Sequence, residues 1–394
     1  MTKRPIAPAL LFTAALGLAS CGAQATGETA AEARSTPAPG EARGAPFTVA
    51  ERGTFDEPWA AAFVPGTSVL VVTLKSGKIM GVDTRNDRAI FFEGVPKVDY
   101  GGQGGLGDVA FLPGETASTL TPRTIYLSWA EAGEGGTRGA VVGRGRMVCE
   151  EHQTCRIDDL KVIWRQAKVS GRGHYSHRIA FAPDGKTMFV SSGEREKMLP
   201  AQDTANNLGS VVRLNLDGTP ASGNAFSGQP GKAQDIWSFG HRNILGLKLD
   251  SRGRLWGLEH GPAGGDELNL VRKGANYGWP VVSEGDHYDG REIPPHSTRP
   301  EFAAPAISWN PVIAPGDFVF YSGKLWPEWK GQALIAAMRP AGVVRVGIDG
   351  DKARELARYP MDKRVREIVE GPDGAIWLLE DKAGGRLLEL RPRR

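Results

Sequence analysis

The stretch Pro372-Asp373-Gly374-Ala375-Ile376-Trp377-Leu378-Leu379 decides the fold. Pro sets φ for a turn, Asp bonds its own backbone, and Gly accepts positive φ. The apolar run that follows is too short for a helix and reads as a buried strand. The same unit recurs upstream at Pro65-Gly66, Pro113-Gly114, Pro183-Asp184-Gly185, Asp250-Ser251-Arg252-Gly253 and Ser322-Gly323, spaced 48 to 72 residues apart. Thr187-Met188-Phe189-Val190 is the strand behind the third of these turns. No long stretch carries a helical period. With 52 Gly and 27 Pro in 394 residues, the chain suits many tight turns between short strands. Six units of about 60 residues predict an all-β fold, a six-bladed β-propeller with four strands per blade. The competing architecture is a β-sandwich with fortuitous turn spacing.

The repeat also places residues. If each turn closes an equivalent hairpin, Gln103, His174, Asn243 and Arg364, which stand 7 to 10 residues before their turns, share one mouth of the central channel. Arg242 adjoins this set. Arg364-Val365-Arg366 projects two guanidinium groups from one side of a strand. Such a fork takes carboxylates by paired, charge-assisted bonds, so the ligand at this mouth is expected to be an anion.

A second region carries chemistry. Glu259-His260-Gly261-Pro262-Ala263-Gly264-Gly265 is a glycine-rich loop whose free carbonyls suit a hard cation such as calcium, and Asp266-Glu267 follows it. Some 85 residues upstream, His174 in Gly173-His174-Tyr175-Ser176-His177-Arg178 stands as a candidate base before a strand. Carbonyl loop, acids and histidine together point to metal-assisted redox or hydrolytic chemistry.

The chain begins as an exported protein does. Lys3 and Arg4 precede a mostly apolar Ile6–Leu18 segment that ends in Leu18-Ala19-Ser20-Cys21, a bacterial lipoprotein box. Residues 1–20 read as signal peptide. Residues 21–46, rich in Ala, Gly, Glu, Thr and Pro, read as a lipidated flexible tether. Residues 47–394 form the folded domain. Acylation of Cys21 would anchor the protein to a membrane, and Gly22 in place of Asp points to the outer membrane, facing the periplasm. Cys149 and Cys155 then remain for a disulfide. A net charge of +3 implies no polyanionic partner and no nucleic acid.

At this point a resemblance becomes specific. Gly102-Gln103-Gly104-Gly105-Leu106, Gly173-His174, Ser238-Phe239-Gly240-His241-Arg242-Asn243, Glu259-His260-Gly261-Pro262, Gly265-Asp266-Glu267-Leu268-Asn269, Asn276-Tyr277-Gly278-Trp279-Pro280 and Arg364-Val365-Arg366 occur in order across residues 47–394. Together they resemble the soluble aldose dehydrogenases that use pyrroloquinoline quinone (PQQ), in the glucose/sorbosone dehydrogenase family. The resemblance implies oxidation of an aldose sugar at its anomeric carbon, with electrons passing on to an external acceptor. It implies His174 as general base, and Gln103, Arg242, Asn243, His260, Tyr288, Arg364 and Arg366 as cofactor contacts. Arg339 falls where the family often has lysine. The cofactor's three carboxyl groups explain the need for several cations. Calcium beside the quinone would be held by the carbonyls of Gly261 and Pro262, and a second calcium by Glu267 and the Tyr277 carbonyl.

Three positions depart from the family pattern. Leu245 stands where a glutamine is common, His177 where a small residue is usual, and Gly316 near a position that often bears a hydroxyl. Two other functions fit a propeller: a metal-dependent lactonase-like hydrolase, which needs Glu, Asp and Asn at the axis, and a non-catalytic ligand-binding module.

Overall fold

A computed structural model describes residues 44–150 and 154–393. The signal peptide and most of the tether, Cys21 included, lie outside the described residues.

The described chain is all-β, with four short 3-10 turns as its only helical segments. Its strands form four four-stranded sheets, one eight-stranded sheet and a two-stranded ribbon. The eight-stranded sheet is two antiparallel quartets joined where Phe91, Phe92 and Glu93 pair in parallel with Thr154, Cys155 and Arg156. Six antiparallel quartets therefore follow one another along the described chain.

The six turns anticipated from sequence each join the first and second strand of a quartet. The first strands are Pro58–Phe63, Leu106–Phe111, Ser176–Phe181, Ile244–Leu249, Pro315–Phe320 and Val365–Glu370. Each of these strands touches the first strand of the next quartet, and the last touches the first, so they make a closed ring. The sixth quartet is completed from the far end of the sequence. Phe47–Phe55 pairs with Gly385–Pro392, Phe47 opposite Pro392 and Phe55 opposite Gly385.

Apolar side chains fill the spaces between neighbouring quartets. Trp256, Leu258, Phe318, Ile335 and Val344 join the fourth quartet to the fifth, and Leu70, Val72, Trp377, Leu379 and Leu387 join the first to the sixth. Each such side chain stabilises by about 1.5–3 kcal/mol when fully buried. The strands alternate inward and outward by pleat, so one register fixes both neighbours.

The ring axis is polar. Arg178 is 1% exposed and donates from Nη1 to Glu367 (2.7 Å) and Asp108 (3.2 Å), from Nε to the Leu245 carbonyl (2.6 Å), and from Nη2 to the Gly316 carbonyl (3.1 Å). Lys248 donates to Asp317 at 2.6 Å. Burial opposes the charge on Arg178, but Asp317, Glu367 and Asp108 outweigh it and raise its pKa. Burial pushes the Glu367 carboxyl well above its ordinary range. Five inner strands thus contribute one ionic plug beneath the mouth.

Cys149 and Cys155 are joined as a disulfide between paired strands of the second quartet.

Candidate active site

Gln103, His174, Arg242, Asn243, His260, Tyr288, Arg364 and Arg366 line one cleft of about 560 Å³ at the ring mouth. Gly261, Pro262 and Arg339 line an adjoining cavity of about 490 Å³ that shares His260 and Tyr288 with the cleft. Glu267 and Tyr277 border a third space of about 10 Å³, which Arg242, His260 and Gly261 also border. The predicted set is therefore gathered at one place but divided among three chambers, and Arg339 stands outside the main one.

His174 enters the cleft on a strained segment. His174, Ser176 and His177 have φ of 45°, 58° and 64°, values that L-residues adopt at a cost. Neighbouring glycines make the room, since a Cβ on Gly193 would stand 2.0 Å from the His174 carbonyl oxygen. The His174 backbone N–H donates to Gln103 Oε1 at 2.9 Å, which fixes the Gln103 amide. His174 Nδ1 lies 2.5 Å from Oε1 of Glu194. Burial would raise the Glu194 pKa, but the hydrogen bond and charge of His174, the Met198 N–H and Arg242 hold it below its ordinary value. An ionised carboxylate only accepts, so Nδ1 carries a proton, and whenever the ring is neutral Nε2 is the nitrogen with the free lone pair. His174 is 9% exposed. Glu194 was not among the residues singled out from sequence. It sits on the following hairpin, and no local motif marks it.

The cations are individually held. Arg242 donates to the His260 carbonyl (3.1 Å) and to the Tyr288 hydroxyl (3.3 Å), while its buried Nε has no protein partner. Arg364 and Arg366 share Asp381, each through Nε, at 2.8 and 2.9 Å. Burial would raise the Asp381 pKa, but Arg366 and Arg364 bring it below its ordinary value. Sequence reasoning missed Asp381 as well, although the fork anticipated for an outside carboxylate has this one within the protein. His260 Nε2 donates to the Pro315 carbonyl at 2.6 Å. Burial depresses the His260 pKa to about 3, with the charges of Arg242, Arg366 and His174 adding to it, so this ring is neutral. Ser176 Oγ donates to Asn243 Oδ1 at 3.1 Å and fixes that amide.

The three departures from the family pattern each have a local cause. His177 is buried, stacks on Trp59 with ring centroids 5.1 Å apart, and meets the Ser128 hydroxyl at 2.8 Å through Nδ1. Burial, with the charges of Arg178 and Arg195, depresses its pKa to about 3, so the ring is neutral and a weak base at neutral pH. Leu245 packs with Trp59 and Ala60, so an amide there would lose its solvation. A Cβ on Gly316 would stand 2.1 Å from the Arg366 carbonyl oxygen, so no hydroxyl-bearing side chain fits at that position.

The geometry also bears on two absent groups. A polyanion fits the cleft by charge and by the orphaned Arg242 Nε. The carbonyls of Gly261 and Pro262 are buried and receive no hydrogen bond among the described residues, which suits a hard cation. Burial, then the neighbouring Glu259, pushes Glu267 well above the ordinary range. His296 already donates from Nε2 to the Tyr277 carbonyl at 3.1 Å, leaving that oxygen one lone pair.

Comparison with known proteins identifies the family of the chain. The family model for glucose/sorbosone dehydrogenase matches residues 55–389. The chain is 35% identical over 347 residues to the aldose sugar dehydrogenase YliI of Escherichia coli, covering 86% of this chain and 91% of that one. The apo crystal structure of the soluble aldose sugar dehydrogenase from Escherichia coli superposes with a TM-score of 0.80 at 33% identity, covering 88% of this chain and 100% of that one. The PQQ-bound aldose sugar dehydrogenase of Streptomyces coelicolor superposes with a TM-score of 0.65 at 25% identity, covering 88% and 98%.

Proposed function

Since the chain belongs to the glucose/sorbosone dehydrogenase family, we propose that it oxidises aldose sugars at the anomeric carbon to lactones, with PQQ and calcium as cofactors and His174 as general base. We also read the six quartets as the blades of a six-bladed propeller, and the chain as a periplasmic protein anchored to the outer membrane through lipid on Cys21.

The observation that carries the catalytic reading is that His174, bonded to the buried Glu194, faces the same cleft as Arg242, Arg364 and Arg366. In this reading Glu194 holds the proton on Nδ1, and His174 Nε2 takes the proton of the anomeric hydroxyl. Arg242, Arg364 and Arg366 would hold the carboxylates of the quinone, and Gln103, Asn243, His260 and Tyr288 would fix its orientation. Arg339, on the adjoining cavity, would add a further positive charge for the same ligand. The carbonyls of Gly261 and Pro262 would hold the catalytic calcium, and Glu267 with the Tyr277 carbonyl a bracing one. When bound, the quinone supplies a two-electron acceptor for hydride from the anomeric carbon, and the adjacent calcium polarises its carbonyl. The sugar's C–H bond is lost as hydride, its O–H as a proton to His174, and the lactone carbonyl forms.

The hydrolase alternative needs axial acids free to hold an ion. Asp108, Asp317 and Glu367 do stand at the axis, but Arg178 and Lys248 pair with them. The test is dye reduction by the full chain, purified without cofactor and given calcium, PQQ and a panel of aldoses. Turnover that requires the quinone and disappears in His174→Ala supports the proposal. Tight quinone binding with no sugar oxidised would refute the substrate class.

A further inference from the structure

The cofactor reading leaves one side of the cleft unused. Glu57, Lys75 and Lys382 line it beside Gln103 and His174. None of them belongs to the cationic set assigned to the quinone.

This side is built under strain. Glu57 has φ of 50° and Lys382 φ of 74°, and neither is glycine. The two are bonded to each other, Glu57 N–H to the Lys382 carbonyl at 3.2 Å. Left-handed conformations in non-glycine residues cost of order 1–3 kcal/mol each, and they persist where the surroundings hold them for a purpose.

The side chains around Glu57 form a compact group. The Tyr100 hydroxyl donates to Glu57 Oε2. Lys75 Nζ lies 3.9 Å from Glu57 Oε1 and 5.4 Å from the Tyr100 ring centroid. Lys75 is fixed from below, because its carbonyl accepts the Leu106 N–H at 3.0 Å and its backbone N–H donates to the Glu57 carbonyl at 2.9 Å. Tyr100 remains 49% exposed, one of few large apolar side chains left so open among the described residues.

Charge selects the ligand. A carboxylate at Glu57 repels an anionic cofactor and does not serve it. A carboxylate, an ammonium and an open aromatic ring do suit a neutral polyol: hydroxyls donate to Glu57 and accept from Lys75, while the sugar's apolar C–H face lies on the Tyr100 ring. We propose that Glu57 and Lys75, which line the cleft, together with Tyr100, which is bonded to Glu57 beside it, form the sugar-recognition subsite, holding the aldose hydroxyls remote from the reacting carbon.

This inference rests on the dehydrogenase reading only for the reaction performed. The test uses the full chain, Glu57→Gln and Tyr100→Ala, with Tyr100→Phe as a variant that keeps the ring. Steady-state turnover at saturating quinone, quinone affinity by absorbance titration, and saturation-transfer NMR of free aldose with apo-protein are measured on each. The expected result is KM raised about tenfold in Glu57→Gln and Tyr100→Ala, the weight of one charge-assisted bond or one stacked ring. kcat and quinone affinity stay within about twofold, Tyr100→Phe, which keeps the ring but loses the hydroxyl bonded to Glu57, raises KM less than Tyr100→Ala, and the NMR signal weakens in step with KM. Unchanged KM and NMR signal in both Glu57→Gln and Tyr100→Ala would overturn the subsite and leave the dehydrogenase intact. An aldose NMR signal that is lost in Glu57→Gln, in a protein that never reduces dye, would keep the subsite and overturn the dehydrogenase.

Discussion

A Cβ placed on Gly107 would stand 1.9 Å from Cε1 of His177. The imidazole has its place only because residue 107 has no side chain. Gly107→Ala is therefore expected to displace the ring from Trp59 and from Ser128. The expected loss is about 1–3 kcal/mol, as for other overpacked cores. Denaturant unfolding measures it, and Gly107→Ala combined with His177→Ala should recover part of the loss. Additive losses in the double variant would show that the two sites are independent.

Glu194 is expected to act on catalysis through His174 without touching substrate. Glu194→Gln removes the ionised acceptor and frees the imidazole to adopt the other tautomer. kcat should fall by about 10- to 100-fold with KM little changed, and Glu194→Asp should restore part of it. Stopped-flow reduction of bound quinone by sugar isolates this step. Equal rates in Glu194→Gln and wild type would remove Glu194 from the mechanism.

Asp381 should make the protein sensitive to acid. Its folded-state pKa lies below the ordinary 3.8 because Arg366 and Arg364 outweigh its burial. An acid depressed on folding lends stability that is present above the unfolded value and lost as pH falls through the folded one. The melting temperature of wild type is thus expected to drop below about pH 3.8 more steeply than that of Asp381→Asn. Parallel curves for the two proteins would contradict the assignment.

The Cys149–Cys155 bond closes a loop of sequence separation 6, remote from the cleft residues in the chain. Replacing both cysteines by serine is expected to cost about 2 kcal/mol, from the entropy of so short a loop. Turnover per folded molecule should not change. A variant of unaltered melting temperature would show that the paired strands alone define this hairpin.

The parts legible in sequence were local ones. A turn such as Pro183-Asp184-Gly185 fixes its own hairpin, so six turns were enough to place the first strands and the residues just before them. That is why Gln103, His174, Asn243 and Arg364 could be assigned to one mouth. Partners supplied from elsewhere were not legible. Glu194 and Asp381 lie 20 and 17 residues from the groups they hold, just past the ends of other strands, and nothing in their own neighbourhood marks them. The parallel joint between Phe91–Glu93 and Thr154–Arg156 was hidden for the same reason, since edge pairing depends on which strands the packed quartets bring together. Arg339, suggested by the family resemblance and not by spacing, lines the adjoining cavity and not the main cleft, the two sharing Tyr288 and His260.

The pairing of Phe47 with Pro392 has a consequence for how the molecule is made. The clasp of the circle is formed by strands about as far apart in the chain as the described residues allow. Contacts of such separation are slow to form, because chain entropy must be lost before any contact rewards it. Five quartets can assemble while the sixth is still short of a strand, and until the clasp shuts, Gly385–Pro392 presents an open edge to any other β-strand nearby.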